Sequence, residues 1–250
     1  MSQLEDASNI VTLLENTPYR ARDVRRIHVG TTNFAYRIFL KEPLRDGVQT
    51  AILKYSAPLT ATEPRVPFSP ERQAFEAEAL ARIPWNDFDY PEVPQFAPNS
   101  SAKVRLPELY LSVPQQHFCI IEDCTPRPGV EAAWDQSTHS FRELLEDQPE
   151  TELKYRAAKS LGSMLGNFLA QLHLWGLRED NHTAAMRLFS GNVPSKDLVT
   201  QELFTDFATN VEQCGYTMTQ SHRSQLRREL EKVNLDLNTD TQSVSMGDFW

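Results

Sequence analysis

The chain of 250 residues is poor in positive charge, in cysteine and in long apolar runs. Lys and Arg number 25 against 34 Asp and Glu, a formal charge of −9. Broad binding to nucleic acid or to an anionic membrane draws on an excess of Lys and Arg, so neither partner is expected. A local basic pocket for one small anion stays open. The three cysteines, Cys119, Cys124 and Cys214, are an odd number and form no CxxC pair. A secreted disulfide framework uses an even and denser set. The opening MSQLEDASNIVTLLEN is acidic and has no basic n-region, which argues against a signal peptide. The stretch LGSMLGNFLAQLHLWGL is broken by Asn167, Gln171 and His173. A membrane span needs about 20 mostly apolar residues. No fixed-period repeat is visible, which excludes a solenoid. These absences together predict a reduced, cytoplasmic protein.

What is present suits a globular protein. Hydrophobic residues make up 40% and charged residues 24%, enough for one large domain or two lobes of about 100–150 residues each. Ile10, Leu13 and Leu14 have helical spacing over 8–16, and Pro18 stops the pattern. Three strand-like stretches follow, RRIHVG, NFAYRIFLK and TAILKYSA, with Asp46-Gly47 as a turn before the third. Ser69-Pro70 reads as the start of a helix, with Phe75, Ala79 and Ile83 along one face. Two more strands are predicted in LPELYLSV and HFCIIED. From Thr151 to Trp175 apolar residues keep helical spacing, with Gly176 placed to cap the end. Further helices are expected from Lys196 to Cys214 and over 219–233, and a short strand in SVSMGDFW. A β-rich first half and a helical second half predict an α+β protein of two lobes.

Four segments could carry chemistry. VGTTNFAYRI sets Gly30, Thr31, Thr32 and Asn33 between two strands, where a turn could offer amides or side chains to a phosphate. The same turn also suits a plain hairpin. Lys54 lies in the apolar strand AILKYS; its ammonium could contact nucleotide phosphates, or snorkel at a sheet edge. In ERQAFEAEAL, Glu76 could pair with Lys54. Glu78 is the alternative, about 200° further round the helix, and either could belong to a solvated face. Asp248 in SMGDFW could orient a substrate hydroxyl, or could mark a turn. The run His117, Cys119, Cys124 does not have a common zinc spacing.

In this order the segments resemble the aminoglycoside phosphotransferase and choline-kinase-like superfamily, including its methylthioribose-kinase-like members. VGTTNFAYRI looks like its nucleotide loop, AILKYS like the strand with the ATP-binding lysine, and ERQAFEAEAL like the helix with the partner glutamate. FCIIED resembles the strand into the hinge, LGSMLGNFLAQLHLWG the long helix ending in Leu-His, and MGDFW the start of the catalytic loop. The resemblance implies a protein-kinase-like fold: an N-terminal antiparallel sheet lobe with one main helix over 1–123, and a helical lobe over 124–250. It also implies an ATP-dependent phosphotransferase acting on a small-molecule hydroxyl. Gly30 to Asn33 and Lys54 would then hold the nucleotide, Glu76 would fix Lys54, and the backbone of Glu122, Asp123 and Cys124 would meet adenine. Asp248 would orient the acceptor. The family's Mg²⁺ is implied too, but its Asn and later Asp ligands have no match here, and Met246 stands at the usual His. The expectation is therefore an incomplete second lobe with little or no turnover. Its uncovered Leu161, Leu165, Phe168 and Leu172 would favour self-association. The alternative is a non-catalytic nucleotide-binding or protein-interaction module.

Overall fold

A computed structural model gives the arrangement of the chain. It describes residues 3–28, 30–45, 47–62, 65–88, 106–124, 151–193, 209, 211–212 and 214–236. The first element is helix α1, Ala7–Leu14, capped by Asp6, whose carboxylate accepts from the Ser8 amide at 2.9 Å. Strands β1 (Ala21–Ile27), β2 (Phe34–Leu40) and β3 (Thr50–Tyr55) follow, then helix α2 (Arg72–Arg82). Strands β4 (Leu109–Val113) and β5 (Phe118–Glu122) complete an antiparallel five-stranded sheet of order β1-β2-β3-β5-β4. Helices α3 (Thr151–Leu177), α4 (Glu179–Phe189) and α5 (Gln220–Asp236) follow it in the chain. The protein is α+β, with the expected order of strands. Among the described residues, no helix is long and apolar enough to cross a membrane.

The alternation of β2 explains how the sheet is covered. Phe34, Tyr36, Ile38 and Leu40 are buried in one core with Leu53 and Tyr55 of β3, Phe118 and Ile120 of β5, and Ile10 and Leu14 of α1. Burying each such side chain stabilises the fold by about 1.5–3 kcal/mol. The opposite face is smaller and more polar: Ala77 of α2 packs with Cys119 and Ile121, and with the half-buried Ile52, Leu80 and Leu109. Chain reversals use positive φ. Gly47 stands at φ 76, its amide donating to the Leu44 carbonyl at 2.9 Å. His117 takes φ 55 just before β5, an uncommon region for a residue with a side chain.

The chain divides into two compact units, Met1–Phe168 and Leu169–Trp250, with the division inside α3. In the first unit Phe168 stacks on Trp85 with ring centroids 5.5 Å apart and meets Phe88 edge-on at 5.8 Å. In the second unit Leu172 and Ala185 are buried.

Several expectations need correction. Helix α2 begins two residues after Pro70, and the Ser69 hydroxyl accepts from the Glu71 amide at 3.3 Å. Its most buried residues are Arg72, Gln73 and Ala77; of the expected stripe Ile83, just past its end, is buried, while Phe75 and Ala79 are half-buried. Gly176 lies inside α3, which runs to Leu177. Phe168 and Leu172 are fully buried and Leu165 is half-buried, so they are not the uncovered patch expected; Leu161 lies outside the described side chains. The helix expected from Lys196 and the strand expected in SVSMGDFW fall largely or wholly outside the described residues.

Candidate functional site

The polar face of the sheet gathers the candidate residues. Ladder pairing puts Ala35, Lys54 and Cys119 in one row across β2, β3 and β5, and Arg37, Ile52 and Ile121 in the next. Directly paired residues share a face, so Lys54 and Arg37 lie on the side that α2 covers.

Lys54 forms an ion pair through Nζ with Oε1 of Glu76, and the two side chains are 26% and 32% exposed. The choice between the two helix glutamates is settled by this pair. Glu78, on another side of α2, pairs with Arg82 one turn on. Glu76 is further held by Gln73, whose Nε2 donates to its Oε2 at 3.4 Å and to the Cys119 thiol sulfur at 2.9 Å. Gln73 is 2% exposed, so water cannot replace those partners.

The loop before β2 is tied to the same helix. Gly30 adopts φ 94 and is exposed. The Thr31 carbonyl accepts from the Ala61 amide at 2.9 Å, and the Thr32 carbonyl accepts from Arg72 at 2.8 Å. Asn33 turns its Oδ1 inward, accepting from Arg72 Nε at 3.1 Å and standing 2.9 Å from the buried Ser56 hydroxyl. The guanidinium of Arg72 also donates to the carbonyls of Ala57, Phe68 and Ser69, and lies 4.1 Å over the Phe68 ring. Burial lowers the Arg72 pKa to about 10, against the opposing pull of Glu76. With five acceptors around it, the group is a cation held in place rather than a mobile charge.

At the end of β5 the expected hinge residues have separate environments. The Glu122 amide donates to the Glu108 carbonyl at 2.8 Å. The Asp123 carboxylate accepts from Arg37 Nε at 3.0 Å in a buried ion pair. Cys124 is exposed. Asp248 lies outside the described residues. Among the described residues, no group of three or more His, Cys, Asp or Glu side chains could hold a metal ion.

The structure thus joins Asn33, Lys54 and Glu76 through residues given no part in this site from sequence: Ser56, Arg72, Gln73 and Cys119, the last weighed only as a metal ligand. A signal for two of them was present. Arg72 and Gln73 precede Glu76 by four and three residues, which puts them on its face of the helix. Ser56 and Cys119 carried none, since only strand pairing brings them near. Comparison with protein-family models and with curated proteins finds no match for this chain.

Proposed function

We propose that the protein is a kinase-like, ATP-dependent phosphotransferase acting on the hydroxyl of a small molecule. The observation that carries this reading is the Lys54–Glu76 pair, a half-exposed ammonium held between a strand and a helix beside a glycine-containing loop. A lysine whose position is fixed by a carboxylate is suited to neutralise phosphate oxygens, and phosphoryl transfer relies on such positioning and charge neutralisation. Lys54 contacts the phosphates and Glu76 keeps the ammonium aimed. The Gly30–Asn33 loop covers the nucleotide, and the chain after β5 lies beside the base. Asp248 takes the acceptor-orienting role by resemblance alone. No step is assigned to Mg²⁺, because no described cluster of side chains fits it.

Titration calorimetry with ATP tests the reading. Lys54→Ala should weaken binding at least about tenfold, roughly 1.4 kcal/mol. Equal affinity in parent and variant would remove Lys54 from the nucleotide site. Release of ADP in the presence of amino sugars, choline-like alcohols or methylthioribose would then identify the acceptor class.

A further inference from the structure

We infer that Asn33, Ser56, Gln73 and Arg72 form a positioning relay that ties the 30–33 loop to the Lys54–Glu76 pair, so that the two parts of the proposed phosphate site move as one. The role in catalysis rests on the phosphotransferase reading; the relay itself rests only on geometry. Starting from Lys54, the connection runs to Glu76, then to Gln73 at 3.4 Å, to Ser56 at 3.1 Å, and to Asn33 at 2.9 Å. Arg72 closes it by donating to Asn33 Oδ1 at 3.1 Å and to the Thr32 carbonyl at 2.8 Å. The members come from the loop, the segment just after β3, and α2, while the Cys119 thiol of β5 touches Gln73. Separate pieces of backbone therefore depend on one set of bonds.

The donor count shows which member is decisive. Arg72 donates to Asn33, so the oxygen of that amide faces Ser56. Gln73 turns its nitrogen to Glu76 and Cys119, so its oxygen also faces Ser56. A serine hydroxyl has one proton, and here it stands between two acceptor oxygens. Asn33 already receives Arg72, whereas no other donor to the Gln73 oxygen is present among the described contacts. Donation to Gln73 fixes the amide orientation that presents Nε2 to Glu76. Donation to Asn33 releases it. Ser56 is fully buried, so bulk water cannot take its place. A shift of the loop thereby reaches the carboxylate that sets Lys54, without a direct contact between them.

The experiment is reductive ¹³C-methylation of the full chain, with the Lys54 signal assigned by its loss in Lys54→Arg. The Lys54 signal should move in Ser56→Ala and in Asn33→Ala, although neither residue touches Lys54. Asn33→Asp supplies a stronger acceptor for the one Ser56 proton and should displace the signal in the direction opposite to Asn33→Ala. Asn33 is only half-buried, so this pair of variants decides the matter even where Ser56→Ala does not fold. A Lys54 signal unmoved in folded Asn33→Ala would overturn the relay, as would displacement in the same direction by Asn33→Ala and Asn33→Asp. Calorimetry with ATP on the same samples keeps the two ideas apart. Absence of ATP binding in the parent overturns the phosphotransferase reading, while the lysine signal still decides the relay.

Discussion

Arg37 of β2 reaches over β3 to place its Nε 3.0 Å from the carboxylate of Asp123, just past the end of β5. Two inter-strand spacings, about 10 Å, separate the two backbones, a distance that suits an extended arginine and few other side chains. The side chains are 9% and 4% exposed. A buried pair adds little over an apolar replacement, but removing one partner leaves a buried charge poorly compensated. Asp123→Ala should therefore lower stability by about 3 kcal/mol, and the double change Arg37→Met with Asp123→Leu should recover most of it. Urea denaturation of the three proteins measures this. A loss under about 1 kcal/mol in Asp123→Ala would mean that the pair does not hold the end of β5.

Gly30 is the one residue of the nucleotide-loop candidate whose backbone angle excludes other residues. Its φ of 94 is unfavourable for any residue with a Cβ, and an added Cβ would meet nothing within 4 Å. Strain is therefore the whole cost. Gly30→Ala should lower stability by about 1–2 kcal/mol without a packing defect. Thermal denaturation should show the loss, and the near-ultraviolet dichroism of the core should not change. An unchanged melting temperature would show that the loop relaxes out of the left-handed region at no cost.

How far the sequence was legible follows from how local each signal is. The β2 alternation of Phe34, Tyr36, Ile38 and Leu40 predicted a half-buried strand, and those residues line the core under α1. That Lys54 could pair with a glutamate of the following helix was also legible, from the order of the segments. The choice between Glu76 and Glu78 was not. It depended on which side of α2 meets the sheet, and of the apolar stripe only Ile83 is buried, Phe75 and Ala79 being half-buried. That side is polar because Lys54 of β3, Ser56 just after it and Cys119 of β5 meet there, a fact that exists only once the strands pair. Arg72 was missed for the same reason. A charged residue near the start of a helix reads as solvated, until five acceptor groups from the 32–33 loop, Ala57 and the 68–69 turn enclose it. The end of α3 was misplaced because glycine near a helix end is a common stop, and here Gly176 simply continues the helix.

Cys119 provides the last prediction, in which reactivity and pH dependence have one origin. Its thiol is fully buried, and desolvation, aided by the nearby Glu76 carboxylate, raises its pKa from 9.0 to about 12, with Lys54 pulling the other way. The thiolate is the reactive form, so the folded protein should protect this sulfur. Iodoacetamide at pH 8 should label the exposed Cys124 and Cys214, and should reach Cys119 only after unfolding. The sign of the linkage follows from the direction of the shift. Between pH 9 and 12 the native state keeps a proton that the unfolded chain has lost, so alkali favours unfolding. This contribution is fully present below about pH 9 and is lost as the pH rises toward 12, with a limiting slope of about 1.4 kcal/mol per pH unit. Cys119→Ala removes the titrating group and should flatten that part of the profile, while costing some stability at pH 7 through the lost contact with Gln73. Urea midpoints of parent and variant from pH 8 to 10.5 give the comparison. Parallel profiles, or rapid labelling of Cys119 in the folded protein, would show that the sulfur is not sealed beneath α2.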